Sequence, residues 1–304
     1  MAEADQDYEI GEQLFQNFVR GDAMIGLVAD VPGMERTMME ALWRAAGRSC
    51  AQAFCRIGDC YLATRKEIGA FYGVDAADAE QRVWSDEARM ILDDDPVVEA
   101  ALRAYWEAAR LGLREAGLQL ARLSRASSTD NKRRALALLQ AHAEPTAAEL
   151  YQCGLVQNWI GELEASAKTH QKAAEAGDLD AAFELYVVYA QGIGVSMDLE
   201  ASEHWLQRAA DGNHPRALYN LGAAWASGRD GTVDMGKAAD LYRRAADMGN
   251  ARAAATLGVM ILTGEIQGTK EQAVEWLDHA DEAGYPTWEM LDAVELDDPR
   301  EQAE

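Results

Sequence analysis

The sequence is short of proline, cysteine, aromatic residues and positive charge: its 304 residues hold 6 Pro, 4 Cys, 8 % aromatics, and 28 Lys plus Arg against 52 Asp plus Glu. Each shortage excludes something. At a formal charge of −24 the chain is a poor fit to a nucleic-acid backbone, which needs a basic surface to displace counterions, and equally to an anionic membrane. No run approaches the roughly 18 apolar residues of a membrane span. The N-terminal stretch MAEADQDYEIGEQLFQ is acidic where a secretory leader is basic and then apolar, so a cytoplasmic location is expected. Cys50, Cys55 and Cys60 recur every five residues, which scatters them about 140° apart on a helix; with Cys153 they form no C-x-x-C pair. Reduced thiols and no zinc site are expected. What is abundant is alanine, 57 residues, the best helix former and small enough to let helices approach closely. These counts describe an acidic, all-helical chain.

Signatures of catalysis are missing too. There is no G-x-S-x-G, no phosphate-binding G-x-x-x-x-G-K-[ST], no H-E-x-x-H and no calcium loop. His142, His170, His204, His214 and His279 fall on or beside the second helices of different units, and no pair has metal-ligand spacing. No catalytic residue, cofactor or metal is expected, and the chain reads as a non-enzyme.

The C-terminal half repeats itself. Segments 181–195 (AAFELYVVYAQGIGV), 217–231 (ALYNLGAAWASGRDG) and 253–268 (AAATLGVMILTGEIQG) align at a period of 36 through Ala181, Ala217 and Ala253, then Leu185, Leu221 and Leu257, then Gly192, Gly228 and Gly264. Each leads into a second helical segment, as in 198–212 (DLEASEHWLQRAADG) and 234–249 (DMGKAADLYRRAADMG), whose Ala209-Ala210 and Ala245-Ala246 pairs keep the period. Apolar residues at i, i+3, i+4 and i+7 make each segment an amphipathic helix of about three to four turns. Gly177, Gly249 and Gly284 supply left-handed residues that end helices, and Asn213 takes that position in the 212–215 turn. Trp205, Leu241 and Trp276 fill the gap between units. One such hairpin cannot bury its apolar faces alone, whereas stacked neighbours can.

The pattern resembles the Sel-one-like repeat (SLR) family, a tetratricopeptide-like branch of helical repeats. The matching residues are Ala217, Leu221, Gly222, Gly228, Asp234, Ala238, Ala245, Ala246 and Gly249, with Gly192, Gly194, Val195, Asp198 and Trp205 in the preceding unit. Tyr186 stands where the family has glycine, and Ser202 where it has alanine. The resemblance implies a right-handed α-solenoid of antiparallel helix pairs. It also implies a scaffold or adaptor role, often in bacterial signalling or assembly complexes.

The N-terminal half carries fainter echoes in 41–61 and 101–120. The expected division is an acidic helical cap over 1–33, degenerate repeats over 34–145, SLR repeats over 146–288, and a capping helix with an acidic tail over 289–304. Segment 66–96 is either a repeat with long connections or an insertion. Asp95 before Pro96 reads as a helix N-cap, as does the SSTDN stretch at 127–131. Nothing resembles a flexible linker, so one continuous superhelix is expected.

Function then falls to the surface. The first helix of each unit lines the concave side in this repeat class, and sliding its inward positions onto the chain selects Asp180, Phe183, Val187, Arg216, Tyr219, Arg252 and Val259. Phe183 and Tyr219 are either partner anchors or packing between units. A second candidate is the basic stretch 103–134. There Arg103, Arg110 and Arg114, spaced i, i+7 and i+11 on one helical face, are followed by Arg122 and Arg125. It either balances the acidic blocks 75–99 and 265–304 or receives an acidic peptide or phosphate. The expected activity is a non-enzymatic scaffold that binds a protein partner on the concave face. The alternative is an inhibitor of the immunity type, whose acidic surface neutralises a basic effector such as a toxin nuclease. The charge makes a basic protein a candidate partner, and no nucleic acid or membrane is expected.

Overall fold

A computed structural model of the chain describes residues 2–21, 31–64, 85, 88, 90–228, 231–287 and 291. Among these there are fourteen α-helices and no strand. The chain divides into two compact units, Met1–Glu162 and Leu163–Glu304. The first holds α1 (Ala2–Gly21), α2 (Val31–Ala46), α3 (Ala51–Thr64), α4 (Pro96–Arg110), α5 (Arg114–Leu123), α6 (Thr129–Gln140) and α7 (Ala147–Trp159). The second holds α8 (Leu163–Glu175), α9 (Leu179–Gln191), α10 (Leu199–Asp211), α11 (Pro215–Ser227), α12 (Met235–Asp247), α13 (Ala251–Leu262) and α14 (Lys270–Glu282). In the second unit every helix packs on the next, with the most extensive contacts inside α9/α10, α11/α12 and α13/α14. That is the helix-pair stacking of an α-solenoid.

Helix starts and stops follow local chemistry. Asp178, His214 and Asn250, each 36 residues apart, cap the first helices of the three pairs by accepting the N–H of Ala181, Ala217 and Ala253. Asp198, Asp234 and Thr269 cap the second helices. Asp95 caps α4 with Pro96 behind it, and Ser128 caps α6. Gly177, Gly249, Gly284 and the non-glycine Asn213 all have positive φ, as the repeat pattern requires.

Close approach is the second constraint. A Cβ on Gly222 of α11 would stand 2.9 Å from the Tyr242 ring of α12, and one on Gly258 of α13 would stand 2.8 Å from Leu277 of α14. The two family departures meet at the equivalent point of α9/α10: Ser202 Oγ donates to the carbonyl of Tyr186 at 2.9 Å. The first unit repeats the device, because Gly58 of α3 lies under Tyr105 of α4 at 2.9 Å. Segment 66–96 lies mostly outside the described residues, yet α3 and α4 on either side of it pack together and so form one interrupted pair. Helix α7 packs on α5 and α6, which places it in the first unit. The expected capping helix and tail at 289–304 lies, apart from Leu291, outside the described residues.

A polar stitch accompanies the packing. Arg208 of α10 donates to the carbonyl of Ala174 at the end of α8 (3.0 Å), and Arg244 of α12 to that of Ala210 at the end of α10 (3.4 Å). Each guanidinium thus answers the carbonyls and negative dipole end of the preceding second helix. The thiols behave as packing groups: burial pushes those of Cys55 and Cys153 up to about 12.

Two stability predictions follow from this packing. Gly194 has φ +69°, and its Cβ would stand 2.4 Å from the carbonyl carbon of Leu163, whereas Gly177 has φ +98° with open space around it. Gly177→Ala should cost about 1–2 kcal/mol of backbone strain, and Gly194→Ala clearly more, in denaturant titrations followed by circular dichroism. His170 on α8 is buried, and burial pushes its pKa from 6.5 down to about 4. The folded ring is neutral while the unfolded chain binds its proton, so stability should fall as pH drops from 6.5 towards 4. The full loss is about 3 kcal/mol, and in His170→Gln that part of the pH slope should disappear.

Candidate partner-binding face

The first helices α9, α11 and α13 carry the residues singled out for the concave face. Their N-caps hold them in register, so Asp180, Arg216 and Arg252 occupy equivalent positions in the first turns, with Phe183 and Tyr219 one turn further on. Phe183 is 3 % exposed. The His214 ring stacks on it at 4.9 Å with planes 20° apart, and the Arg216 guanidinium lies over it at 4.4 Å. Tyr219 repeats the arrangement: Arg252 lies over its ring at 5.1 Å, and Tyr242 tilts against it at 5.3 Å. The aromatic residues therefore serve as platforms between units, each covered by an arginine 33 residues later. Arg216 and Arg252 are exposed and, among the described residues, have no carboxylate within ion-pairing distance.

His214 does more than its sequence position suggested. It does not belong to a second helix but caps the first helix α11. Its Nδ1 accepts the N–H of Ala217 at 3.2 Å, so that nitrogen carries no proton, and Nε2–H donates to Asp180 Oδ1 at 3.1 Å. An imidazole in this role reads from sequence as an ordinary turn residue; only its spacing of 36 from Asp178 and Asn250 marks it. Glu184, one turn beyond Asp180, is half-buried, and desolvation holds its carboxyl above the usual range although the charge of Arg216 pulls it down. Val187 is half-buried on the same helix. Val259 is not part of an open face: it is 8 % exposed and packs with Leu277 and Leu291. Of the seven positions, Phe183 and Val259 are core, Tyr219 and Val187 are half-buried, and Arg216 and Arg252 are exposed over the two rings.

The basic stretch behaves differently. Arg103, Arg110 and Arg114 do not share one helix face, because α4 ends at Arg110 and Gly112 turns the chain at φ +94° before α5 begins with Arg114. Arg103 pairs with Glu99 at 2.6 Å and donates to the Ile91 carbonyl. Arg110 pairs with Glu107 at 2.8 Å. Arg114 reaches Glu149 of α7 at 2.8 Å and the carbonyl of Glu144 at 2.6 Å. Glu149 is buried, and its hydrogen bonds from Thr146 and Arg114 hold it below the usual carboxylate range against desolvation. The acid that consumes Arg114 sits 35 residues away and carries no sequence signal beyond its capping-box spacing from Thr146. Arg122 and Arg125 remain exposed, with Arg125 6.0 Å from the Trp159 ring.

A rigid, repeated row of arginine-capped rings suits recognition of another chain, since arginine and aromatic side chains dominate binding hot spots. For this geometry, Arg216→Ala should leave Phe183 half uncovered and lower stability by about 1 kcal/mol. Arg122→Ala, which has no ring beneath it, should change the unfolding midpoint little.

Comparison with known proteins accounts for the repeat. A family profile described as the Sel1 repeat matches residues 179–214 and 215–250. Among solved structures, a Sel1 repeat protein from Oxalobacter formigenes is similar at a TM-score of 0.56 and 20 % identity, over 90 % of this chain and 99 % of that one. A protective antigen of uropathogenic Escherichia coli displaying an SLR fold is 20 % identical over 92 % of this chain and 62 % of its own, at a TM-score of 0.43. No curated protein matches the chain. Residues 179–250 thus carry two Sel1 repeats, set among helix pairs whose fold is that of solved Sel1 repeat proteins.

Proposed function

We propose that the chain is a non-enzymatic interaction scaffold that binds a protein partner on the face formed by α9, α11 and α13. Sel1-repeat proteins are generally protein-interaction scaffolds. One observation carries the more specific reading: Arg216 and Arg252, fixed over Phe183 and Tyr219, present two exposed guanidiniums in register with no direct ion pair among the described residues. In a chain of net charge −24, two guanidiniums on one face keep their hydrogen-bond donors free of ion pairs, with only the longer-range charge of Glu184 acting on Arg216. A partner's carboxylates or carbonyls would use those donors. Asp180 and Glu184 on the same face supply acceptors for mixed contacts, and the buried Phe183 and half-buried Tyr219 rings keep the donors pre-organised, which lowers the entropy lost on binding.

The overall charge favours a second reading, in which the acidic surface neutralises one basic effector. The two readings differ in salt response, because steering by net charge weakens at high ionic strength while a packed hot spot does not. Affinity capture from native lysate at low and high salt, with mass spectrometry, should yield a salt-resistant assembly for the scaffold. A single basic protein lost at high salt would favour the inhibitor. Arg216→Ala combined with Tyr219→Ala should reduce capture at least tenfold with helicity intact. Unchanged capture would move the site, first to Arg122 and Arg125.

A further inference from the structure

Eight large apolar side chains are exposed among the described residues, and four of them lie along one edge of the second unit: Leu163 (38 %), Met197 (66 %), Leu199 (61 %) and Val233 (58 %). Leu163 and Leu199 open α8 and α10 and are 36 residues apart; Met197 and Val233 precede the caps of α10 and α12 and are also 36 apart. Met235, half-buried, continues the first series at the start of α12. The loop after α9 holds the edge together. Gly194 lies so close to the backbone of Leu163 that no Cβ fits, and Gly192 packs tightly against Met197. The same turn recurs where Gly228 abuts Val233.

Nothing in helix formation calls for these residues. The first helical position favours proline and acidic residues, and an exposed leucine there neither caps the helix nor fills the core. A single exposed leucine needs no explanation, whereas a contiguous apolar series marks a contact surface. Its margins are acidic. Glu200 and Glu203 have no cationic partner among the described residues. Asp198 and Asp234 present carboxylates beside the apolar positions while capping α10 and α12. Lys237, 3.5 Å from Asp234, is the local exception.

We propose that this edge docks a lysine- or arginine-rich amphipathic segment of a partner protein, its apolar residues on Leu163, Met197, Leu199 and Val233 and its cations on the flanking carboxylates. Charge selects this occupant. A second copy of the chain would bring Glu200 and Glu203 against one another, and an anionic lipid surface would be repelled. The edge is built from the starts of second helices and the loops before them, and its assignment does not depend on the Arg216 face.

The test uses the full chain and two labelled 14-residue peptides of alternating helical pattern, one Leu–Lys and one Leu–Glu, with fluorescence anisotropy as readout. The Leu–Lys peptide should bind and the Leu–Glu peptide should not. Met197→Ser with Leu199→Ser, both largely exposed and so not needed for folding, should weaken binding at least tenfold at unchanged circular dichroism. Glu200→Gln with Glu203→Gln should weaken it several-fold, and Arg216→Ala should leave it unchanged. Equal affinity in wild type and the serine variant overturns the proposal. Equal binding of both peptides also overturns it, as does loss caused by Arg216→Ala alone. Self-association in sedimentation that the serine variant abolishes would assign the edge to a second copy instead.

Discussion

A helix of about thirteen residues cannot bury its apolar stripe by itself, and a pair of them still leaves one face open, so each unit of this chain exists only against its neighbour. That requirement explains why small residues sit where they do. Gly222 and Gly258 admit Tyr242 and Leu277 at distances no Cβ would allow, and Gly58 does the same for Tyr105 in the other compact unit. Fully buried Leu185, Leu218, Leu257 and Leu277 then contribute about 2 kcal/mol each relative to exposure. The stitch from Arg208 and Arg244 to the ends of preceding helices adds direction to packing that is otherwise non-directional.

The same packing draws in part of the chain's positive charge. Arg103, Arg110 and Arg114 are drawn into contacts with Glu99, Glu107 and Glu149, and Arg208 and Arg244 into contacts with backbone carbonyls. What the packing leaves over is therefore informative. Arg216 and Arg252 are held by rings and not by acids, and the loops that start α10 and α12 expose methionine, leucine and valine among carboxylates. One surface offers donors and the other offers apolar contact with acidic margins. They could serve two segments of one partner or two partners.

Much of the fold was legible in the residues. The 36-residue period, the caps Asp95 and Ser128, the left-handed Asn213 and the pairing of helices all follow from local rules of spacing and backbone conformation. Less of the site was. Phe183 was equally readable as anchor or as packing, and its burial under His214 and Arg216 depends on a helix that begins 32 residues later. Val259 was placed on the open face by register alone, but Leu277 and Leu291 cover it. The stripe Arg103, Arg110 and Arg114 assumed one helix where Gly112 makes two.

The sequence by itself determined the repeat and the ends of its helices, because each depends on residues within about four positions of one another or on a strict period. Only the tertiary structure decided which charges are free, which aromatic rings are covered, and that α3 and α4 form one pair across the stretch between them. Several of those properties are set by groups far apart in the chain, such as Arg114 with Glu149 or Phe183 with Arg216, whose meeting depends on how each helix turns its stripe towards the next. Solvent exposure belongs to that arrangement and to no residue alone.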